Sequence, residues 1–164
     1  MKKYIILIPI YNDSESLKKL IEDINEVTKD LNAEISIIVI NDASSQQIVD
    51  SYPNTENINS IEILNLKENR GHTRCIASGL KYIYEKKEFD YVIPMDGDGE
   101  DRPEEIKNFV QISDKSVDKS IVGERIKRSE GIIFRLCYEL HKYLTLVFTG
   151  QLIKFGNFTC LSRS

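Results

Sequence analysis

Four short runs rich in Ile, Leu and Val, at positions 4–10, 34–40, 61–66 and 91–95, each stop abruptly at a cluster of polar residues. Runs of this length bounded by turn-forming residues read as β-strands, and a near-continuous apolar run such as 4–10 reads as a strand covered on both faces. Between them the apolar positions switch to helical spacing. Leu17, Leu20, Ile21, Ile24 and Val27 follow Ser14, which is placed to cap a helix. Cys75, Ile76, Ala77, Leu80, Ile83 and Tyr84 mark a second helix, and Ile106, Phe109, Val110 and Ile112 a third, with Asp101 as its N-cap and Pro103 near its start. A fifth strand is expected at 120–122. Strand and helix alternate throughout, which predicts an α/β, Rossmann-like domain with a mostly parallel sheet flanked by helices. A chain of 164 residues with 41% hydrophobic content suffices for one domain with a single core.

In open α/β sheets ligands bind beyond the carboxyl ends of the strands, so the polar clusters are where chemistry is expected. The fourth run ends in Asp96-Gly97-Asp98-Gly99-Glu100-Asp101. Carboxylates crowded this closely repel one another, and Mg²⁺ or Mn²⁺ relieves the repulsion while taking oxygen ligands. Asp96, Asp98 and Glu100 are the candidate ligands, and Gly97 and Gly99 allow tight turning and close approach. An acidic turn exposed to solvent at a helix entrance would look similar, and it is the placement at a strand tip that favours a site. A second tip carries Asn41-Asp42-Ala43-Ser44-Ser45, and the loop after the third strand brings Arg70 and His72, both suited to contact phosphate.

Several function classes drop out. Net charge is −4 and the basic residues form no dominant stripe, so nucleic acid is not an expected partner. Cys75, Cys137 and Cys160 are odd in number and widely spaced, which points to a reducing compartment. The N-terminus begins with Lys2 and Lys3 before an apolar run, like a signal peptide, but the run is short, breaks at Pro9 and Asn12 and lacks a cleavage site, so it reads as the first strand. No stretch reaches the roughly 18 apolar residues of a membrane span. Residues 9–16 contain no glycine, against a dinucleotide-binding fingerprint, and an EF-hand starting at Asp96 would need Gly and Glu where Asp101 and Lys107 stand. A phosphohydrolase with Asp96 as nucleophile and a nucleotide-binding module without turnover both stay open.

Pro9-Ile10-Tyr11-Asn12-Asp13, Val39-Ile40-Asn41-Asp42-Ala43-Ser44, Asn69-Arg70-Gly71 and Asp96-Gly97-Asp98-Gly99-Glu100 together resemble, in order and spacing, the nucleotide-sugar motifs of family 2 glycosyltransferases with the GT-A fold. The branch most similar is that of the dolichyl- and polyprenyl-phosphate sugar synthases. The resemblance covers essentially the whole chain as one GT-A domain, with residues 1–101 as the nucleotide-sugar half and 102–164 as the acceptor half. It implies inverting transfer of a hexose from a UDP- or GDP-sugar. Pro9, Tyr11 and Asp13 would line the base and ribose pocket with Arg70 and Gly97 nearby, Asp42 would contact the base, and Asp96, Asp98 and Glu100 would hold Mg²⁺ or Mn²⁺ and the diphosphate. Asp13 stands where the family usually has Glu, Asn41 where an Asp is common, and Glu100 where this branch often has Gln.

The C-terminal third suggests the acceptor. Arg125, Lys127, Arg128 and Arg135 lie around the start of an apolar segment that runs from Ile132 to Phe148 through Leu140 and Tyr143. Such a segment is either an ordinary core-covering helix or an interfacial helix with a cationic site for an anionic lipid head group. The resemblance favours the second. It maps Arg125 and Arg135 onto acceptor-phosphate contacts, with Arg125 and Asp98 as the catalytic pair. Residues 155–163 would form the acceptor-side strand. Many relatives place an acid near Asn157, and none is present here. A lipid phosphate is already an anionic nucleophile and needs only positioning, whereas a hydroxyl needs a general base. The missing acid therefore points to polyprenyl phosphate, at the cytoplasmic face of a membrane, and less to a saccharide hydroxyl. Relatives often continue beyond this strand, so a chain shortened at its C-terminus is expected.

Overall fold

The computed structural model describes residues 1–48, 52, 55–99, 101–116, 118–123, 140, 143 and 158–164. The chain divides into two compact units, Met1–Ile121 with Phe158–Ser164, and Val122–Asn157. Expectations at Glu100, Arg125, Arg135 and Asn157, and most of the apolar C-terminal segment, lie outside the described residues.

The first unit is built on a sheet. The described elements are β1 (Lys2–Ile10), α1 (Ser14–Thr28), β2 (Ala33–Asn41), β3 (Ser60–Asn65), α2 (His72–Lys86), β4 (Tyr91–Pro94), α3 (Glu105–Lys115), β5 (Ile121–Val122) and β6 (Thr159–Ser162). The strand order is β3-β2-β1-β4-β6-β5. β1 pairs in parallel with both β2 and β4, β2 pairs in parallel with β3, and β6 runs antiparallel to β4.

Alternation along the strands sorts the core into two layers. Tyr4, Ile6, Ile8 and Ile10 of β1, with Ile35, Ile37 and Val39 of β2, pack against Leu17, Ile21 and Ile24 of α1 and Ile106, Phe109 and Val110 of α3. Ile5 and Leu7, with Ile38, Ile40 and Val92, pack against Cys75 and Ile83 of α2 on the opposite face. Fully burying one such side chain contributes about 1.5–3 kcal/mol. The two faces follow from connection handedness. The β1–α1–β2 and β3–α2–β4 connections cross the sheet in opposite directions, so right-handed crossovers put their helices on opposite sides.

Pro9 sits in a central strand without breaking it. Ile10 O accepts the Asp42 N–H at 2.9 Å, so Ile10 bonds toward β2 and the preceding Pro9 faces the β4 side. There the β1–β4 pairing has already ended, with Pro94 opposite Leu7. The missing proline N–H therefore falls past that ladder.

Several local expectations are corrected. The N-cap of α1 is Asp13, whose carboxylate accepts the Ser16 N–H at 3.2 Å, and not Ser14, which is the first helical residue. Asp101 does not cap α3; that helix starts at Glu105 after a turn, and the Asp101 carboxylate instead accepts the Asp96 N–H at 2.9 Å. Tyr84 and Ile112, read as core positions, are exposed. The last strand, expected over 155–163, spans Thr159–Ser162, and 155–157 lie outside the described residues.

Candidate functional site

The strand order places a topological switch between β1 and β4, because the β1–α1–β2 connection runs to one side of β1 and the β3–α2–β4 connection crosses back to the other. At such a point the loops splay apart and open a crevice beyond the carboxyl ends. The tips of β1, β2 and β4 carry three of the sequence motifs, and the Asn69–Gly71 motif is tied in beside them.

The tips of β1 and β2 are knitted together by short polar side chains. Asn12 adopts a left-handed backbone, φ 54°, which Asn tolerates better than most residues. Its side-chain oxygen accepts the Ser45 N–H at 2.8 Å, and its own N–H donates to Ser44 Oγ at 2.8 Å. Asn41 bridges two neighbours: its amide nitrogen donates to Asn65 Oδ1 at 2.7 Å, and its oxygen accepts the Ser44 N–H at 2.9 Å. Ala43 is also left-handed, φ 57°, a conformation unfavourable for a residue with a Cβ and held here by these bonds.

Asp42 is buried, and both of its carboxylate oxygens are engaged. Oδ1 accepts the Arg70 N–H at 2.7 Å and Oδ2 the Gly71 N–H at 2.8 Å. A buried carboxylate with two backbone donors is well compensated. It fixes the Asn69–Gly71 loop to β2 and sets where α2 begins. The Arg70 side chain turns away to Glu68 at 2.7 Å, along an open groove of about 540 Å³ shared with Lys67, Arg74 and Lys81. That groove borders the outer face of α2, and neither Asp42 nor Asp96 lines it.

The acidic tip is held from three sides. Gly97 is buried, and a Cβ built on it would lie 2.9 Å from Pro9 O and 3.1 Å from Ile10 Cδ1. Only glycine lets the tip of β4 lie this close to the backbone of β1. Asp101 closes the turn on the Asp96 N–H. His72, the first residue of α2, brings Nε2 to 3.3 Å from Asp96 Oδ1.

Of the expected site residues, Pro9, Asp42, Asp96 and Gly97 are gathered at the crevice. Asp13 caps α1 just behind it, Tyr11 is exposed at its edge, and Asp98 is exposed at the acidic turn. The residues that reasoning from sequence assigned no role are Asn12 and Asn41, which lock the rim. Asparagine directly after or ending a strand was the available signal, since it tolerates φ > 0 and bonds neighbouring backbone. His72, read from sequence as suited to phosphate, lies beside Asp96.

The donor set fits a hard divalent cation. Asp96 and Asp98 offer oxygen ligands, and the glycine between them has no room for a side chain. Mg²⁺ is commonly held by one or two carboxylates together with substrate phosphates. Among the described residues no three His, Cys, Asp or Glu side chains are grouped to hold a cation alone. Asp96 and Asp98 would do so with a diphosphate.

The family model for Glycosyl transferase family 2 matches residues 5–161. The chain is 28% identical over its whole length to undecaprenyl-phosphate 4-deoxy-4-formamido-L-arabinose transferases of Proteus mirabilis and Photorhabdus laumondii, and spans 49% of each, about half their length. Among solved structures it resembles mannosyl-3-phosphoglycerate synthase from Rubrobacter xylanophilus, with a TM-score of 0.69 at 14% identity over 99% of this chain and 53% of that one. S. aureus TarS 1–349 in complex with UDP gives a TM-score of 0.58 at 20% identity, over 79% of this chain and 38% of that one. With its sheet order, its four motifs at one end of the sheet and a family match that spans nearly all of it, the chain belongs to glycosyltransferase family 2 and has the GT-A fold.

Proposed function

We propose that this chain is the donor-binding part of a metal-dependent, inverting glycosyltransferase that moves a sugar from a UDP- or GDP-linked donor onto polyprenyl phosphate. The observation that carries the reading is the convergence of Asp42, Gly71, Asp96 and Gly97 at the switch point beside β1. Pro9, Tyr11, Asp13 and Asp42 serve the nucleoside, Asp96, Asp98 and Glu100 serve the diphosphate, and the Arg70 side chain, turned to Glu68, would have to swing back to reach a phosphate. Relatives named for undecaprenyl phosphate support the acceptor class, and neighbours solved with UDP support the donor class.

The acceptor phosphate oxygen attacks the anomeric carbon, forming a new carbon–oxygen bond as the bond to the donor diphosphate breaks. Its electron pair leaves with the nucleoside diphosphate. A bound Mg²⁺ or Mn²⁺ supplies neutralisation of the charge that develops there. Asp96 and Asp98 would hold that ion, while the β1 and β2 tips keep the nucleoside oriented. Arg125 and Arg135 bind the acceptor phosphate, which is already anionic and needs no general base. Peripheral placement at the cytoplasmic membrane face follows from the lipid acceptor. The exposed Leu140 and Tyr143 suit an apolar helix surface of that kind, and among the described residues no helix is long and apolar enough to cross a membrane.

The test is a thermal-shift panel of UDP- and GDP-linked hexoses and UDP-linked 4-amino-arabinose derivatives, with and without Mn²⁺, because ligands of the native state raise its melting temperature. The stabilising donor is then offered to the full-length protein with short-chain polyprenyl phosphate or with saccharides. Transfer to the lipid phosphate, reduced about tenfold to a hundredfold in Arg125→Ala at unchanged donor affinity, is expected. Transfer only to a saccharide hydroxyl overturns the acceptor assignment.

A further inference from the structure

We infer that His72 is a positioning residue for Asp96, holding the first carboxylate of the acidic turn in the orientation that a cation–diphosphate complex requires. The inference rests on the donor reading above and adds a residue to it. His72 Nε2 lies 3.3 Å from Asp96 Oδ1, and the two side chains are 56% and 29% exposed. At that distance the ring edge stands directly against the carboxylate and limits how Asp96 can turn.

The placement of His72 follows from groups already described. Asp42 fixes the Gly71 N–H at 2.8 Å, which sets the start of α2. The next residue is His72, and from there its ring reaches Asp96, just past the end of β4. The chain Asp42, Gly71, His72, Asp96 thus links the nucleoside side of the crevice to the diphosphate side. A side chain that is more than half exposed adds little to folding through one ion pair. Its consequence lies in restricting Asp96. Partners that orient a metal-ligating carboxylate typically alter metal affinity tenfold or more.

The experiment measures UDP binding by calorimetry as a function of Mn²⁺, together with uridine binding without metal and the melting temperature. In His72→Ala and His72→Phe the Mn²⁺ concentration needed for half-maximal UDP binding should rise by about tenfold. Uridine affinity and melting temperature should stay at the parent's values. His72→Gln, which keeps a polar N–H of similar reach, should return most of the loss. Manganese electron paramagnetic resonance in the presence of UDP should show the same order of variants. An unchanged Mn²⁺ requirement in His72→Ala overturns the inference. So does an equal loss of uridine binding or of stability, which would mark a structural role, and so does failure of Gln to restore. A parent whose UDP and GDP binding are both independent of Mn²⁺ overturns the metal-dependent donor reading itself, which separates that failure from this one.

Discussion

Asp42 and Gly71 are joined carboxylate to backbone N–H at 2.8 Å, with the Arg70 N–H on the other carboxylate oxygen at 2.7 Å. The residue expected to read the base is therefore also the anchor of the loop that starts α2. Asp42→Ala should act on both counts. Hydrogen bonds to a charged group are worth roughly 1.5–3 kcal/mol, and loop N–H groups that can turn to water put the stability loss near 2 kcal/mol. For a chain of this size that corresponds to a melting-temperature drop of about 4–8 °C. Nucleoside affinity should fall by roughly 1.5–3 kcal/mol in a calorimetric titration. Unchanged affinity would place the base elsewhere, and unchanged stability would mean the loop is held by other contacts.

The Asp98 carboxylate belongs to an exposed turn and not to the core. Asp98→Asn keeps size and polarity and removes the charge a cation needs. Mn²⁺-dependent stabilisation by UDP or GDP should disappear, while stability without ligand stays within about 0.5 kcal/mol of the parent's, the usual scale for a surface substitution. Equal Mn²⁺-dependent stabilisation of variant and parent would remove Asp98 from the metal set.

Much of this arrangement is legible in the chain because strand periodicity and strand ends are local signals. The near-continuous apolar run 4–10 reads as a strand covered on both faces, and Ile6 and Ile8 pack in one layer while Ile5 and Leu7 pack in the other. The caps were harder. Ser14 and Asp13 are both good capping residues in adjacent positions, and which one caps depends on where the backbone leaves β1. Asp101 was misplaced for a similar reason: a carboxylate before a proline can cap the next helix or fold back on its own turn, and only the tertiary position of the Asp96 N–H decides. The His72–Asp96 contact spans 24 positions and depends on strand order, which periodicity does not encode.

At the opposite end of the sheet, Glu62 of β3 accepts hydrogen bonds from Lys87 and from Tyr82 Oη, the latter at 2.6 Å. Burial tends to raise its pKa, but the two hydrogen bonds outweigh burial and hold it below the ordinary value of 4.5. A lowered folded-state pKa gives stability that is present above the unfolded value and is lost as pH falls through the folded one. Glu62 and Lys87 are 33% and 34% exposed, so solvent screening limits the effect to about 1 kcal/mol or less. Glu62→Gln should be less stable than the parent by up to that amount at pH 7 in urea unfolding. The difference should shrink as pH drops below about 4.5. A constant difference from neutral to strongly acid pH would show that charge is not its source.

The two glycines of the acidic turn separate steric from conformational control of the same site. Gly97 meets the Pro9 carbonyl oxygen at 2.9 Å from a built Cβ, and a strand backbone cannot yield as a flexible side chain can. Gly99 has open space around it but a φ of +80°, where a Cβ strains the backbone itself. Gly99→Ala should cost about 1–2 kcal/mol of stability and leave the separation of the β1 and β4 tips unchanged. Gly97→Ala should cost a comparable amount, about 1–3 kcal/mol, by overpacking. It must also push the tip of β4 off β1, carrying Asp96 and Asp98 with it. Mn²⁺-dependent UDP binding should therefore fall much further in Gly97→Ala than in Gly99→Ala at matched stability, with uridine binding nearly equal in the two. Equal metal-dependent binding in both variants would mean that the contact between Gly97 and Pro9 supports the fold without setting the geometry of the acids.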